Sequence, residues 1–413
     1  MNAIAVIILV TIGIDFILNA WADYLNLKML RPELPESFSG VYEPDQYRKS
    51  QEYLRVNTRF SWITGSFNVV LLLIFWFAKG FPLLDQWVRS WNFSPILSGL
   101  IFIGILGLIK AVISLPFSVY GTFVIEERFG FNKTTWSTFM LDLLKGLFLA
   151  ILLGTPLLAG ILFFFEYAGA YAWLFCWIAV TLYMLAVQFI APTWIMPLFN
   201  KFKALEAGEL KSAILSYAES IKFPVQNVYV MDGSRRSSKS NAFFTGFGKH
   251  KRIALFDTLI KKHSVKELLA ILAHEMGHYK KKHILLSMTL GIAQTGLMLY
   301  LLSLFISYPG LFDAFYMDHT SVYGGMIFFA MLYSPLDFFI CMIMQVVSRK
   351  NETAADRFAV QTTGDPRAMA DALKKLSARS AKLPLALEEA KLKDEFRKEI
   401  EEDLEEELRR DLE

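Results

Sequence analysis

Residues 274–278 read HEMGH, inside the stretch LAILAHEMGHYKKKHILLSMTL (269–290). On a helix, positions four apart lie one turn from each other on the same face, so His274 and His278 can present both imidazoles to one ion. Glu275 lies beside them, where a carboxylate can take a proton from a water at the ion's open position. A hydrolytic Zn²⁺ keeps three protein ligands and one open position. The pattern therefore requires a third ligand from elsewhere in the chain. SRKNETAADRFAV (348–360) offers Glu352 and, four residues on, Asp356. The first is suited to bind the metal, the second to orient a ligand imidazole through its other ring nitrogen.

These residues need elements that bring them together. Ser264 followed by Glu267 has the form of a capping box and predicts a helix over SVKELLAILAHEMGHYKKK. Two apolar runs, 284–308 and 322–347, separate His278 from Glu352. A bilayer crossing needs roughly 20 apolar residues. Two crossings return the chain to the side it left, so Glu352 is expected to emerge where His278 enters. The ligand set is then His274, His278 and Glu352 around one Zn²⁺ per chain, with Glu275 as general base and Asp356 behind a ligand.

The rest of the chain supports a membrane setting. Of 413 residues, 54% are hydrophobic and only 20% charged. The mean hydropathy is +0.38. Such a balance excludes an ordinary water-soluble globule. Further apolar runs at 3–22, 61–78, 95–118, 146–165 and 168–190 bring the number of expected spans to seven. The first is read as a span rather than a cleaved leader, because no basic run precedes it and no small-residue cleavage site follows. Lys and Arg concentrate in 23–60, 119–138 and 193–283 and are sparse or absent in 79–94, 166–167 and 309–321. This asymmetry places the N-terminus outside (lumen or periplasm) and the polar insert and C-terminus in the cytoplasm. The membrane is the endoplasmic reticulum or a bacterial inner membrane.

The insert predicts a helix over ELKSAILSYAESIKF and short strands at VQNVYVMD, NAFFTGFG and KRIALFDTL. Cys176 and Cys341 fall in apolar runs and form neither a disulfide framework nor a thiolate metal site. SRRSSKS (234–240) reads as a mobile loop. The clusters Lys261–His263 and Lys280–His283 read as anchors for anionic lipid headgroups, with His263 and His283 outside the metal set. Asp15, Lys110 and Asp337 interrupt apolar runs, either lining a hydrated chamber or pairing locally. Nothing marks a phosphate-binding glycine loop or a nucleic-acid partner.

HEMGH, a helical hairpin and SRKNETAAD together resemble the type I CAAX prenyl protease family of integral-membrane zinc proteases. EERFGFNKTT (126–135), APTWIMPLFNKFKAL (191–205) and NAFFTGFGKHKRIALFDTLI (241–260) resemble it as well, so the likeness runs to about residue 380. The resemblance implies a mainly α, polytopic membrane protein with seven transmembrane helices around a large chamber. A small α+β, zincin-like protease region sits on its cytoplasmic side. It implies that Asn241, Ala242 and Phe243 lie on an edge strand that pairs with substrate backbone. It also implies a peptide substrate, either a prenylated CAAX C-terminus or another membrane-associated peptide.

The expected organisation is spans 1–5 in 1–192, the protease region in 193–283, spans 6–7 in 284–348, the third-ligand helix in 349–381 and a charged tail in 382–413. That tail departs from the family. A Tyr-Ser-His-Pro segment followed by Glu-Arg is expected late in such chains, and none of the six histidines here follows Glu352. A competing function is therefore a zinc-binding but catalytically impaired scaffold or clearance factor. An HtpX-like quality-control protease is the other alternative, disfavoured by the five spans ahead of His274.

Overall fold

The computed structural model describes residues 2–30, 33–34, 43–225, 227–245 and 252–380. The tail 382–413 and part of the NAFFTGFGKH stretch lie outside the described residues. Helices α1 (Ala3–Lys28), α2 (Pro44–Phe77), α3 (Gly80–Arg89) and α4 (Pro95–Tyr120) are followed by α5 (Trp136–Leu149), α6 (Thr155–Tyr167), α7 (Ala172–Ile190) and α8 (Met196–Phe199). The insert carries β1 (Phe202–Ala204), α9 (Glu209–Ser220), β2 (Asn227–Met231), β3 (Ala242–Thr245), β4 (Arg252–Phe256) and α10 (Asp257–Ile260). Then come α11 (Val265–Lys280), α12 (His283–Phe305), α13 (Pro309–Asp313), α14 (Val322–Thr363) and α15 (Pro366–Ser380). Short π-helical segments extend α4 to Glu126 and join α5 to α6 and α7 to α8, so these pairs run as single rods.

Seven helical rods among the described residues are long and apolar enough to cross a membrane, in the expected order. Most outrun their apolar stretches, α2 and α14 by the most. α2 begins at Pro44, within the segment expected as a loop to residue 60, because its polar first half continues the helix beyond the apolar part. α14 has 42 residues, about 63 Å of helix at 1.5 Å per residue, twice what a bilayer core needs. Its last turns therefore overhang the membrane.

Two large hydrophobic cores stand out among the described residues. One joins α1, α2, α3, α4, α6, α7, α12, α13 and α14 through residues such as Trp76, Phe102, Phe312, Phe315 and Phe328. The other lies in the insert, where α9, β2, β4 and α11 pack with the end of α14 and with α15. The sheet order is β1-β2-β4-β3, with β2 and β4 parallel and both outer pairs antiparallel.

Polar groups within the rods find local partners. Lys110 donates to Asn68 Oδ1 at 2.5 Å, and Asp337 accepts from Gln294 at 3.0 Å. Asp15, with Asn19, Asp23 and Trp62, lines a cavity of about 430 Å³ between α1, α2 and α14.

The stretch 234–240 is docked, contrary to its reading as a mobile loop. Arg236 makes a two-pronged ion pair with Asp142 (2.7 and 2.9 Å), and its carbonyl accepts from Lys133 N at 3.0 Å. Ser237 forms a β-bridge with Asn132, and Lys239 pairs with Glu126 at 3.0 Å. Charges that look solvated in the sequence thus fasten the insert to the α4–α5 connection, just ahead of β3.

Candidate metal centre

α11 starts at Ser264, whose hydroxyl accepts from Glu267 N while the Glu267 carboxylate accepts from Ser264 N at 3.0 Å. The capping box sets the helix phase. Its buried face (Leu268, Ile271, Leu272, Met276) packs into the insert core, leaving His274, Glu275 and His278 only partly covered on another face. The overhang of α14 lies alongside, with Ala355 and Ala359 fully buried.

Gly277 explains how two helices come this close. A Cβ there would stand 3.1 Å from the Phe358 ring and 3.2 Å from the Cα and carbonyl oxygen of Ala355. Gly277→Ala is therefore expected to force α14 outward and carry Glu352 off the histidines. Overpacking of this kind costs about 1–3 kcal/mol. The expected result is a lower Tm together with weaker zinc binding. Met276→Leu, a buried volume-conserving change on the same helix, should leave zinc binding intact. Equal zinc affinity in Gly277→Ala and the parent chain would refute the close-packing argument.

The structure brings the three expected ligands together. His274 Nε2 and His278 Nε2 are 3.1 Å apart. Glu352 Oε2 lies 3.3 Å from the first and 3.6 Å from the second. Tetrahedral zinc with ligand bonds of 2.0–2.1 Å separates its ligand atoms by about 3.3 Å. The triangle therefore fits a metal of that size, and these three are the set of metal-ligating side chains found at that spacing among the described residues. Asp356 Oδ1 is 2.7 Å from His274 Nδ1. A carboxylate there accepts the Nδ1–H, which leaves Nε2 as the ring nitrogen facing His278 and Glu352.

Charge shapes the site as well. Burial opposes a charged ring at His274, but the Asp356 and Glu352 carboxylates outweigh it and lift its pKa to about 9. Burial also pushes the Glu275 carboxyl up, against the pull of the two histidines. A metal must displace the second His274 proton. Zinc affinity is thus expected to rise with pH, about tenfold per unit up to roughly pH 9, through that one proton. The proton's own contribution to stability runs the other way. With the folded pKa raised above the ordinary 6.5, the stabilisation is complete below about pH 6.5 and is lost as pH rises through 9. Chelator competition for zinc between pH 6.5 and 9 checks the first statement, and metal-free thermal unfolding over the same range checks the second. Asp356→Ala should flatten both profiles.

Of the three residues expected on the edge strand, Ala242 and Phe243 lie in β3, which pairs with β4 on one side and forms the sheet's outer edge among the described residues. Asn241 immediately precedes it, and its carbonyl accepts from Phe256 N at 3.1 Å. By antiparallel alternation the main chain of Ala242 then faces away from β4. Its N–H meets the Asn241 side-chain oxygen at 2.9 Å.

One residue at the site stands elsewhere than the sequence reading put it. His283, placed among headgroup anchors from its basic neighbours, is buried with its Nδ1 3.1 Å from His278 Nδ1. A cavity of about 460 Å³ opens from His278, His283 and Glu352 and runs between α7 and α12 to Thr181 and Gly291.

A metal-fitting helix pair, assembled where two membrane-crossing rods emerge, defines a multi-pass membrane metallopeptidase. Two family models match: "CAAX prenyl protease N-terminal, five membrane helices" over 23–201, and peptidase family M48 over 204–404. The second match extends past residue 380. The CAAX prenyl protease 1 homolog of Arabidopsis thaliana is 35% identical over 364 residues, covering 85% of each chain. The probable CAAX prenyl protease 1 of Schizosaccharomyces pombe is 36% identical over 360 residues, covering 83% of this chain and 76% of its own. The crystal structure of S. mikatae Ste24p superposes with a TM-score of 0.87 at 30% identity, covering 94% of this chain and 96% of that one. The chain belongs to the CAAX prenyl protease family of M48 metallopeptidases.

Proposed function

We propose that this protein is a membrane-embedded zinc endopeptidase that cuts near the C-terminus of prenylated CAAX-type peptides. The observation that carries the reading is the triangle of His274, His278 and Glu352, with Glu275 on the same helix. These three side chains would hold one Zn²⁺, which when bound supplies a Lewis acid for the scissile carbonyl and acidifies a water. Glu275 takes the proton of the attacking water and returns it to the leaving amine. Its burial-raised pKa brings the carboxyl toward the range where both transfers are efficient. Asp356 keeps His274 in the ligating tautomer.

The edge formed by Asn241, Ala242 and Phe243 would hold the substrate main chain in extended form, with Asn241 releasing the Ala242 N–H to a substrate carbonyl. The apolar walls between α7 and α12 suit a lipidated or apolar tail. Lys and Arg distribution supports a cytoplasmic site and an outer N-terminus.

The test is hydrolysis of a farnesylated CAAX peptide by the purified full chain in detergent, with and without 1,10-phenanthroline. Cleavage that the chelator stops supports the proposal. A chain that holds one zinc but does not cut would instead favour the binding-only reading.

A further inference from the structure

The second metal-facing histidine also has a partner behind it. We infer that His283 is a positioning residue for His278, a neutral imidazole that accepts the His278 Nδ1–H and so aims His278 Nε2 at the metal. The inference rests on the proposed zinc site. The two Nδ1 atoms are 3.1 Å apart, and the rings meet edge-on with an interplanar angle of 77°. At that separation the two nitrogens share one proton, with one ring donating and the other accepting. Nε2 of His278 belongs to the triangle with His274 and Glu352. A ligating nitrogen carries a lone pair, so the ring's proton must sit on Nδ1. His278 is then the donor and His283 Nδ1 the acceptor, which leaves the His283 proton on its own Nε2.

The backbone builds this arrangement. α11 ends at Lys280, and Lys282 adopts a left-handed conformation (φ 61°) before α12 starts at His283. That turn folds the first side chain of α12 back against the last turn of α11. His283 is 8% exposed, so its ring is fixed by packing rather than by solvent. It meets His278 at Nδ1, the ring nitrogen outside the triangle, and it is not among the side chains that converge on the metal position among the described residues.

The two histidine ligands are thus backed differently, His274 by a carboxylate and His278 by a neutral ring. The reason is electrostatic. Glu275, Glu352 and Asp356 already place three carboxyl groups around the centre. A fourth anion behind His278 would over-compensate a divalent ion, whereas an imidazole orients the ligand without adding charge.

The test compares zinc affinity by chelator competition in the full-length chain, its His283→Phe variant and its His283→Asn variant. Phe keeps the ring's shape without an acceptor, and the Asn side-chain oxygen can stand where Nδ1 was. Loss of such an orienting partner typically lowers metal affinity about 10–100-fold. That loss is expected in His283→Phe, and His283→Asn should remain close to the parent. His283→Leu replaces His283→Phe if the latter does not fold. Unchanged affinity in the apolar variant, or an equal loss in His283→Asn, overturns the proposal. So does a Co²⁺ absorption spectrum that differs between the parent and His283→Asn, since that would make His283 a ligand. Failure of the parent chain to bind zinc would instead overturn the metal site itself.

Discussion

Glu275→Gln is expected to abolish peptide hydrolysis while leaving the zinc in place. Gln keeps the size and helix propensity of Glu but cannot carry the proton from water to the leaving amine. General acid–base groups contribute about 10²–10⁴ in rate, so the variant should fall to the floor of a farnesylated-peptide assay. Glu275 is outside the triangle formed by His274, His278 and Glu352, so metal content should remain near one per chain. Its carboxyl is pushed up by burial, and the parent's activity should accordingly fall on acidification, as the base is lost. The measurement is turnover and zinc stoichiometry on the same preparation. A variant retaining a tenth of the parent's turnover would remove Glu275 from the chemistry.

Glu352→Ala is expected to cost both metal and activity. This carboxylate arrives from a second helix and lies within 3.6 Å of both histidine nitrogens. Four-ligand zinc sites bind with about 10–16 kcal/mol in all. One ligand is therefore worth on the order of 3 kcal/mol, about 100-fold in affinity. The variant should lose zinc on dialysis and show no hydrolysis, without unfolding, because Glu352 is half-exposed and the α11–α14 contact rests on Gly277, Ala355 and Ala359. Chelator competition and thermal unfolding separate these effects. Undiminished zinc affinity would exclude Glu352 as a ligand. His274→Ala is the companion variant, with loss of zinc expected from the same triangle.

The chemistry of the centre was largely legible in the residues themselves. HEMGH states its own geometry, because four residues of helix turn both imidazoles to one face. Ser264 and Glu267 mark where that helix begins. Glu352 and Asp356 could be placed by parity alone, since two apolar runs lie between them and His278 and two crossings bring the chain back. Each of these inferences needs only local periodicity or the length of a membrane span, properties that a short window of sequence carries.

Tertiary structure alone decided the remainder, and in each case the deciding contact joins residues with no spacing rule between them. Arg236 and Asp142 are 94 positions apart, so a loop of serines, arginines and lysines read as mobile when it is fastened to the α4–α5 connection. β1 has three residues, too short for alternation to show, and it exists because β2 offers it an edge. Nothing in the HEMGH pattern shows that a side chain at Gly277 would meet the backbone of Ala355. His283 sat in a basic run whose commonest role is at a lipid surface. Only the left-handed turn at Lys282 directs its ring inward to His278. Sequence determined which groups could do the chemistry and which side of the membrane they share. Packing determined how closely the two helices approach and what stands behind each ligand, because those depend on side chains meeting across distances that no local pattern encodes.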